Sequence, residues 1–139
     1  MSVRNNFKKA VLRHVRDSYP ENMPLCMPNN STKEFIELPE WGRIFIQHAN
    51  GRQVAHAGKG SRRYNRTGTI ILRFLLEKNK GDKRADELAK IWEDAFDGRR
   101  ISGIDSTFTE VRSREAGEDN DGRYNILLCE AVFEYREIK

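Results

Sequence analysis

Apolar residues recur along the chain with two periods, and these set out the expected elements. Over residues 3–18, Val3, Phe7, Ala10, Val11 and Val15 share one stripe at helical spacing, with the basic residues mostly off it. Pro20 ends that helix. Residues 20–33 hold three prolines and three asparagines, which deny the span a regular helix or a central strand. It reads as an extended arm or loop reaching to about residue 40, with Met23, Leu25 and Met27 able to pack on something.

The period changes to two at Trp41–His48, where Ile44, Phe45 and Ile46 make a strand. Asn50-Gly51 predicts a hairpin, because both residues accept positive φ, and Gln53–Ala57 is then the return strand. That pairing would set His48 opposite His56. A glycine-rich basic loop follows over residues 58–66. Thr69–Glu77 is the clearest strand, with Ile70, Leu72, Phe74 and Leu76 on one face. Ile71 and Leu75 on its other face predict a central strand covered on both sides. Asp82–Asp97 reads as the best helix: Asp82 caps it, and Ala85, Leu88, Ala89, Trp92, Ala95 and Phe96 form its apolar stripe. Gly98 ends it. Residues 107–114 and 124–137 are two further strands, joined by an acidic loop over 115–123. The last strand aligns Leu127, Cys129, Ala131, Phe133 and Tyr135 on one face.

The order predicts an α+β fold: a mostly antiparallel twisted β-sheet with an N-terminal helix and a second helix, about 82–97, packed on it. At 139 residues the chain suits a single domain with the arm inside it.

Composition changes this picture in one respect, the distribution of charge. The net charge is +4. From Trp41 to Leu76 there is no Asp or Glu, while Arg43, Arg52, Lys59, Arg62, Arg63, Arg66 and Arg73 give +7. The first 19 residues add +4, so the remaining residues must total −7. Strongly basic and strongly acidic parts favour charge-complementary contact, with another copy or with something anionic. No apolar run reaches about 18 residues, so no membrane span is expected. The N-terminus has no apolar stretch like a signal peptide's, which predicts a protein that stays in the cytoplasm where it is made. Cys26 and Cys129 lie far apart with no CxxC partner, which points to free thiols and no zinc-site spacing.

Catalytic chemistry finds little to hold. His14, His48 and His56 fall in no metal-ligand spacing, and there is no Gly-x-Ser-x-Gly elbow. Gly58-Lys59-Gly60-Ser61 lacks the spacing and residue order of a phosphate-binding P-loop. Glu118-Asp119-Asn120-Asp121-Gly122 echoes part of a calcium loop without its terminal glutamate, and reads as a solvated hairpin tip. The chain is therefore expected to have no enzymatic activity, cofactor or metal. Two surfaces stand out instead. One is the basic segment with Arg52, Lys59, Arg62, Arg63 and Arg66, where planar guanidinium forks suit bidentate pairing with carboxylates. The other is the acidic tip with Glu115, Glu118, Asp119 and Asp121. On opposite flanks they would allow a heterologous, head-to-tail contact, of the kind that closes into a ring. As an alternative, the basic segment could contact phosphates in a nucleic-acid-binding module.

Several stretches, in this order, resemble the tail-terminator family of long-tailed phages. They are Pro39-Glu40-Trp41-Gly42-Arg43, Gly51-Arg52-Gln53-Val54, the segment from Gly58-Lys59-Gly60 to Arg66-Thr67-Gly68, Gly81-Asp82-Lys83-Arg84-Ala85, and the terminal Phe133-Glu134-Tyr135. Order and spacing carry the likeness, which spans most of the chain. The resemblance implies a ring, commonly six-fold, that caps a finished tail tube. Its partners would be further copies of itself, the major tail tube protein and the head–tail connector, with genomic DNA passing through the lumen. It implies residence in the virion tail, and in the host cytoplasm during assembly. A ring completed on the tube would be weak or monomeric alone. A head–tail connector component is the alternative within the same class.

Overall fold

The computed structural model describes residues 3–48, 52–56, 62–78, 82–96, 106–118 and 122–138. In chain order they form α1 (Val3–Ser18), β1 (Leu25–Cys26), β2 (Glu40–His48), β3 (Arg52–His56), β4 (Arg62–Glu77), α2 (Asp82–Phe96), β5 (Ser106–Glu118) and β6 (Tyr124–Ile138). The fold is α+β, as the periodicity predicts. One sheet runs β1-β2-β4-β6-β5, with β3 also paired to β4. β1 is parallel to β2 and every other pair is antiparallel.

Both helices lie on the same face. Phe7, Val11 and Val15 of α1 and Leu88, Trp92 and Phe96 of α2 are buried against Ile70, Leu72, Phe74, Cys129, Ala131 and Phe133. At about 25 cal/mol per Å2, a contiguous apolar core of this kind is the main stabilising term. Three polar bonds fix the elements against one another, two between the α1 end and α2 and one between α2 and the sheet. The Tyr19 hydroxyl donates to Leu88 O (3.1 Å), His14 Nε2 lies 2.7 Å from Ala95 O, and Trp92 Nε1 donates to Glu130 O across 3.0 Å.

The arm is more ordered than its composition predicts. Met23, Leu25 and Cys26 are buried, and Leu25–Cys26 pairs in parallel with Gly42–Arg43. Residues 32–38 then fold over one end of the opposite sheet face. Phe35 stacks on Trp41 with ring centroids 5.5 Å apart. The Tyr124 hydroxyl lies 2.6 Å from both Ile36 O and Leu38 O, and Arg123 donates to Ile36 O and Glu37 O.

The sheet departs from expectation in four places. The first is at Asn50-Gly51, which lies outside the described residues: the strands before and after it do not pair with each other. His48 pairs with Gly68 and Arg52 with Asn65, so β2 and β3 follow one another along the same edge of β4. The reason is length: β4 has 16 residues, and β2, with nine, covers only part of it. β3 pairs antiparallel with β4 instead, with His56 the partner of Arg62. His48 and His56 are therefore not cross-strand partners; His48 Nε2 lies 3.0 Å from the Tyr135 hydroxyl. Second, Arg62–Arg66 belong to β4 rather than to a loop, because β3 on one side and β6 on the other supply ladder partners. Third, β5 runs on to Glu118 through a register shift after Glu115, so the acidic loop is shorter than predicted. Fourth, among the described residues β4 is covered on both faces only at its Leu75 end, where Leu75 packs beside Trp41 and Tyr124; Ile71 is half-buried and Arg73 exposed.

Candidate functional site

The predicted charged surfaces lie at opposite ends of the sheet. Arg52 pairs with Asn65, Arg62 with His56, and Arg63 with both Ala55 and Ile138. Arg66, half-buried, pairs with Tyr135. At the other end of β4, Leu76 pairs with Asn125, whose partner on β5 is Glu118. Ten residues of strand separate Arg66 from Leu76, which is about 33 Å at the usual rise. Glu115 and Glu118 are both exposed, and Glu118 is ion-paired with Lys78 at 2.7 Å. Lys59, Asp119 and Asp121 lie outside the described residues, as does most of the partial calcium loop. Among the described residues no three His, Cys, Asp or Glu side chains come together to hold a metal.

A second basic surface emerges from strand register. On the sheet face away from the helices, Arg43 on β2 is the direct partner of Arg73 on β4. Arg73 is the partner of Leu128 on β6, which is the partner of Arg114 on β5. Three arginines and a leucine thus form one row across four strands, spanning about 14 Å at the usual strand spacing. Phe45, Ile71 and Leu128 are half-buried within or beside it. The Arg43 guanidinium lies 4.9 Å from the centroid of the Phe45 ring.

Two carboxylates near the row go elsewhere. Arg112 takes both Glu110 (2.9 Å) and Glu130 (2.7 Å). Its pKa is raised by the hydrogen bonds it donates to Glu130 and by the charges of both acids. Among the described residues no carboxylate ion-pairs with Arg43, Arg73 or Arg114. Like charges set directly opposite on paired strands are unfavourable. The sequence did contain a signal for this row, since Arg73 is a lone cation inside the apolar run Ile70–Leu76. What the sequence alone could not supply was the register that aligns it with Arg43 and Arg114.

Concave features among the described residues are two open grooves, of about 370 Å3 at Glu40, Lys83, Arg84 and Glu87 and about 540 Å3 at Arg16, Asp17, Tyr19 and Glu21, and one narrower cleft. A cleft of about 150 Å3 opens beside the first turns of α2, lined by Leu76, Glu77, Ala85, Glu115, Gly117 and Ile126. It is smaller than the sites that usually enclose drug-sized ligands. Burial, and then Glu93, pushes the Cys129 thiol far above its ordinary range, so it stays a neutral core thiol. Burial does the same to the Tyr19 phenol, with Cys129 adding to it. Arg84 sits in a fork with Glu40, with N–O distances of 2.9 and 2.8 Å, and this hydrogen bonding raises its pKa. That pair ties α2 to the start of β2.

No family model and no curated protein matches the chain. A solved structure does, with a TM-score of 0.63 at 14% identity, over 96% of this chain and 92% of that one. At that identity the likeness shows the fold alone. The two-layer arrangement of helices on one sheet face is thus shared over nearly the whole length, and what it does must be argued from this chain's own surfaces.

Proposed function

We propose that this protein caps the end of a phage tail tube, stops tube polymerisation and presents the docking surface for the head. It acts as a ring of copies, six-fold by resemblance, assembled in the host cytoplasm and retained in the virion tail. One observation carries most of the reading: the strand ladder sets the basic segment Arg62–Arg66 and the exposed Glu115 and Glu118 toward opposite ends of the sheet, about 33 Å apart at the usual strand rise. A cap needs two unlike axial surfaces, one for the tube and one for the head connector. The ordered run of motifs from Pro39 to Tyr135 supports the same reading. The fork-shaped donors of Arg62, Arg63 and Arg66 suit carboxylates on a tube subunit or a neighbour.

The test is tube growth. A major tail tube protein is polymerised with and without this chain, and tube length and ends are read by electron microscopy. Capped tubes of limited length are expected; tubes that grow to the same length with bare ends would overturn the reading.

The clustering of Arg52, Arg62, Arg63 and Arg66 on paired strands β3 and β4 favours one second reading, a nucleic-acid-binding module. Titration with duplex DNA at two salt concentrations separates the two, because binding to phosphates weakens steeply with salt.

A further inference from the structure

We infer that the open sheet face of one copy, centred on the Arg43–Arg73–Arg114 row, docks on the acidic outer face of α2 in a second copy. The inference rests on the ring proposed above and supplies its subunit contact.

Three observations lead to it. The arginine row is uncompensated among the described residues, because the nearby Glu110 and Glu130 are both taken by Arg112. The face around the row is not a phosphate-binding surface of uniform sign. Glu110, Glu130 and Glu134 stand on it, and Phe45, Ile71 and Leu128 are half-buried between the charges. Arginine interleaved with aromatic and aliphatic groups is the usual make-up of a protein–protein interface. The chain also carries a matching surface on its other layer. Asp86, Glu87, Glu93 and Asp94 are exposed on α2 with Lys83 and Lys90, a net charge of −2 over those six positions.

Dimensions agree. Asp86 and Glu93 are seven residues apart on α2, about 10 Å along the axis, against about 14 Å for the arginine row. Glu87 is partly taken by Arg84 and Asp94 by Lys90, both on α2 itself. Among the described residues Asp86 has no ion pair and Glu93 accepts only a neutral hydrogen bond, from Ser113 Oγ at 3.3 Å, so these two keep their charge for the contact. The neighbouring helix α1 exposes Lys9 and Arg13, which repel the row and confine the contact to α2. A sheet face on a helix face is heterologous: each copy keeps one free face of each kind, so the contact repeats around a closed ring.

The experiment is sedimentation velocity on the purified full chain over a wide concentration range, at low and at physiological salt. Wild type should self-associate reversibly, more strongly at low salt. Arg73→Glu and the double variant Asp86→Arg/Glu93→Arg should each weaken self-association about tenfold or more. An equimolar mixture of the two should regain it, because each supplies the face the other has reversed. Circular dichroism and urea unfolding of each variant establish that the fold is intact.

A wild type that stays monomeric at every concentration overturns the inference. So does association insensitive to both reversals, or loss in each without recovery in the mixture, which would mean a different acidic partner for the row. Loss in Glu118→Lys with Arg73→Glu unaffected would hand the subunit contact to the ends of the sheet. None of these results bears on tube capping, which is read separately by tube length. Association that follows these predictions beside uncapped tubes would keep the contact and remove the capping role.

Discussion

Along β4, Ile70, Leu72, Phe74 and Leu76 point at the helices and are buried, while Ile71, Arg73 and Leu75 point the other way and are half-buried or exposed. The two sets alternate on one strand, share its backbone and pair in the same ladders. Their difference is therefore one of side chains and cover alone. The covered face is apolar across β2, β4 and β6 and closed by two helices. The open face mixes arginine, glutamate and apolar groups, and among the described residues it is roofed at the end near Trp41 and Tyr124, by residues 32–38. The first face holds the fold together; the second is left available for a partner. Substitutions should then separate cleanly, with large stability effects on one side and small ones on the other.

The largest effect is expected at Trp92, which is fully buried on the covered face. Trp92→Ala leaves a cavity and leaves Glu130 O without its indole donor. It should cost about 3–5 kcal/mol, read as a shift in the urea midpoint at unchanged slope. Gly68→Ala comes next. A Cβ at Gly68 would overlap the Gln47 carbonyl and lie 2.6 Å from Phe133 Cζ. Gly68 is also where the neighbour of β4 changes from β2 to β3. Overpacking there should cost about 1–3 kcal/mol by the same measurement.

The covered face should also give the protein an alkaline weakness. Burial raises the Cys129 pKa in the folded state above its ordinary value of 9.0. Raised in the fold, this group contributes its stability fully below the unfolded pKa and loses it as pH rises. Above about pH 9 the unfolded chain releases the thiol proton and the folded chain does not, so unfolding becomes easier. The slope approaches about 1.4 kcal/mol per pH unit, or about 2 kcal/mol between pH 7 and 10.5. Tyr19 adds to it once pH passes 10, its ordinary pKa. Cys129→Ala should flatten the slope between pH 8.5 and 10, measured by urea unfolding at each pH. An equal slope in that variant would assign the alkaline loss to other groups.

At the roofed end of the open face, Tyr124→Phe removes the hydroxyl that holds Ile36 O and Leu38 O. About 1 kcal/mol is expected, with faster amide exchange confined to residues 32–38.

The same comparison explains what the sequence disclosed. Helices and the covered face were legible because burial imposes strict periods, 3.6 for Phe7, Val11 and Val15, and two for Ile70 to Leu76. Pairing was not. Asn50-Gly51 is a sound local turn signal, but the 16 residues of β4 offered ladder partners to both β2 and β3, and the longer pairing won. Extension of β4 back to Arg62 was hidden for the same reason: Arg62–Arg66 have no apolar alternation, and their strand is imposed by neighbours. The basic segment could be found from composition. The arginine row could not, since it joins residues 43, 73 and 114 through three registers.

The smallest predicted effect is the sharpest for the comparison, because its sign is opposite to the others. Arg73 faces Arg43 directly across β2 and β4, is exposed, and has no carboxylate partner among the described residues. Arg73→Thr removes that repulsion and places a good strand former on an exposed position. The isolated protein should become more stable, by about 0.2–1 kcal/mol at low salt. The gain should shrink as salt screens the wild-type repulsion, whereas a gain from strand propensity alone would persist. Urea unfolding at two ionic strengths distinguishes these. A destabilised Arg73→Thr would mean that the arginine stem is packed as part of the fold, and the open face would then be no freer than the covered one. A salt-sensitive gain in stability, together with weaker self-association, would mark Arg73 as a residue kept at a cost to the monomer for the sake of its contact.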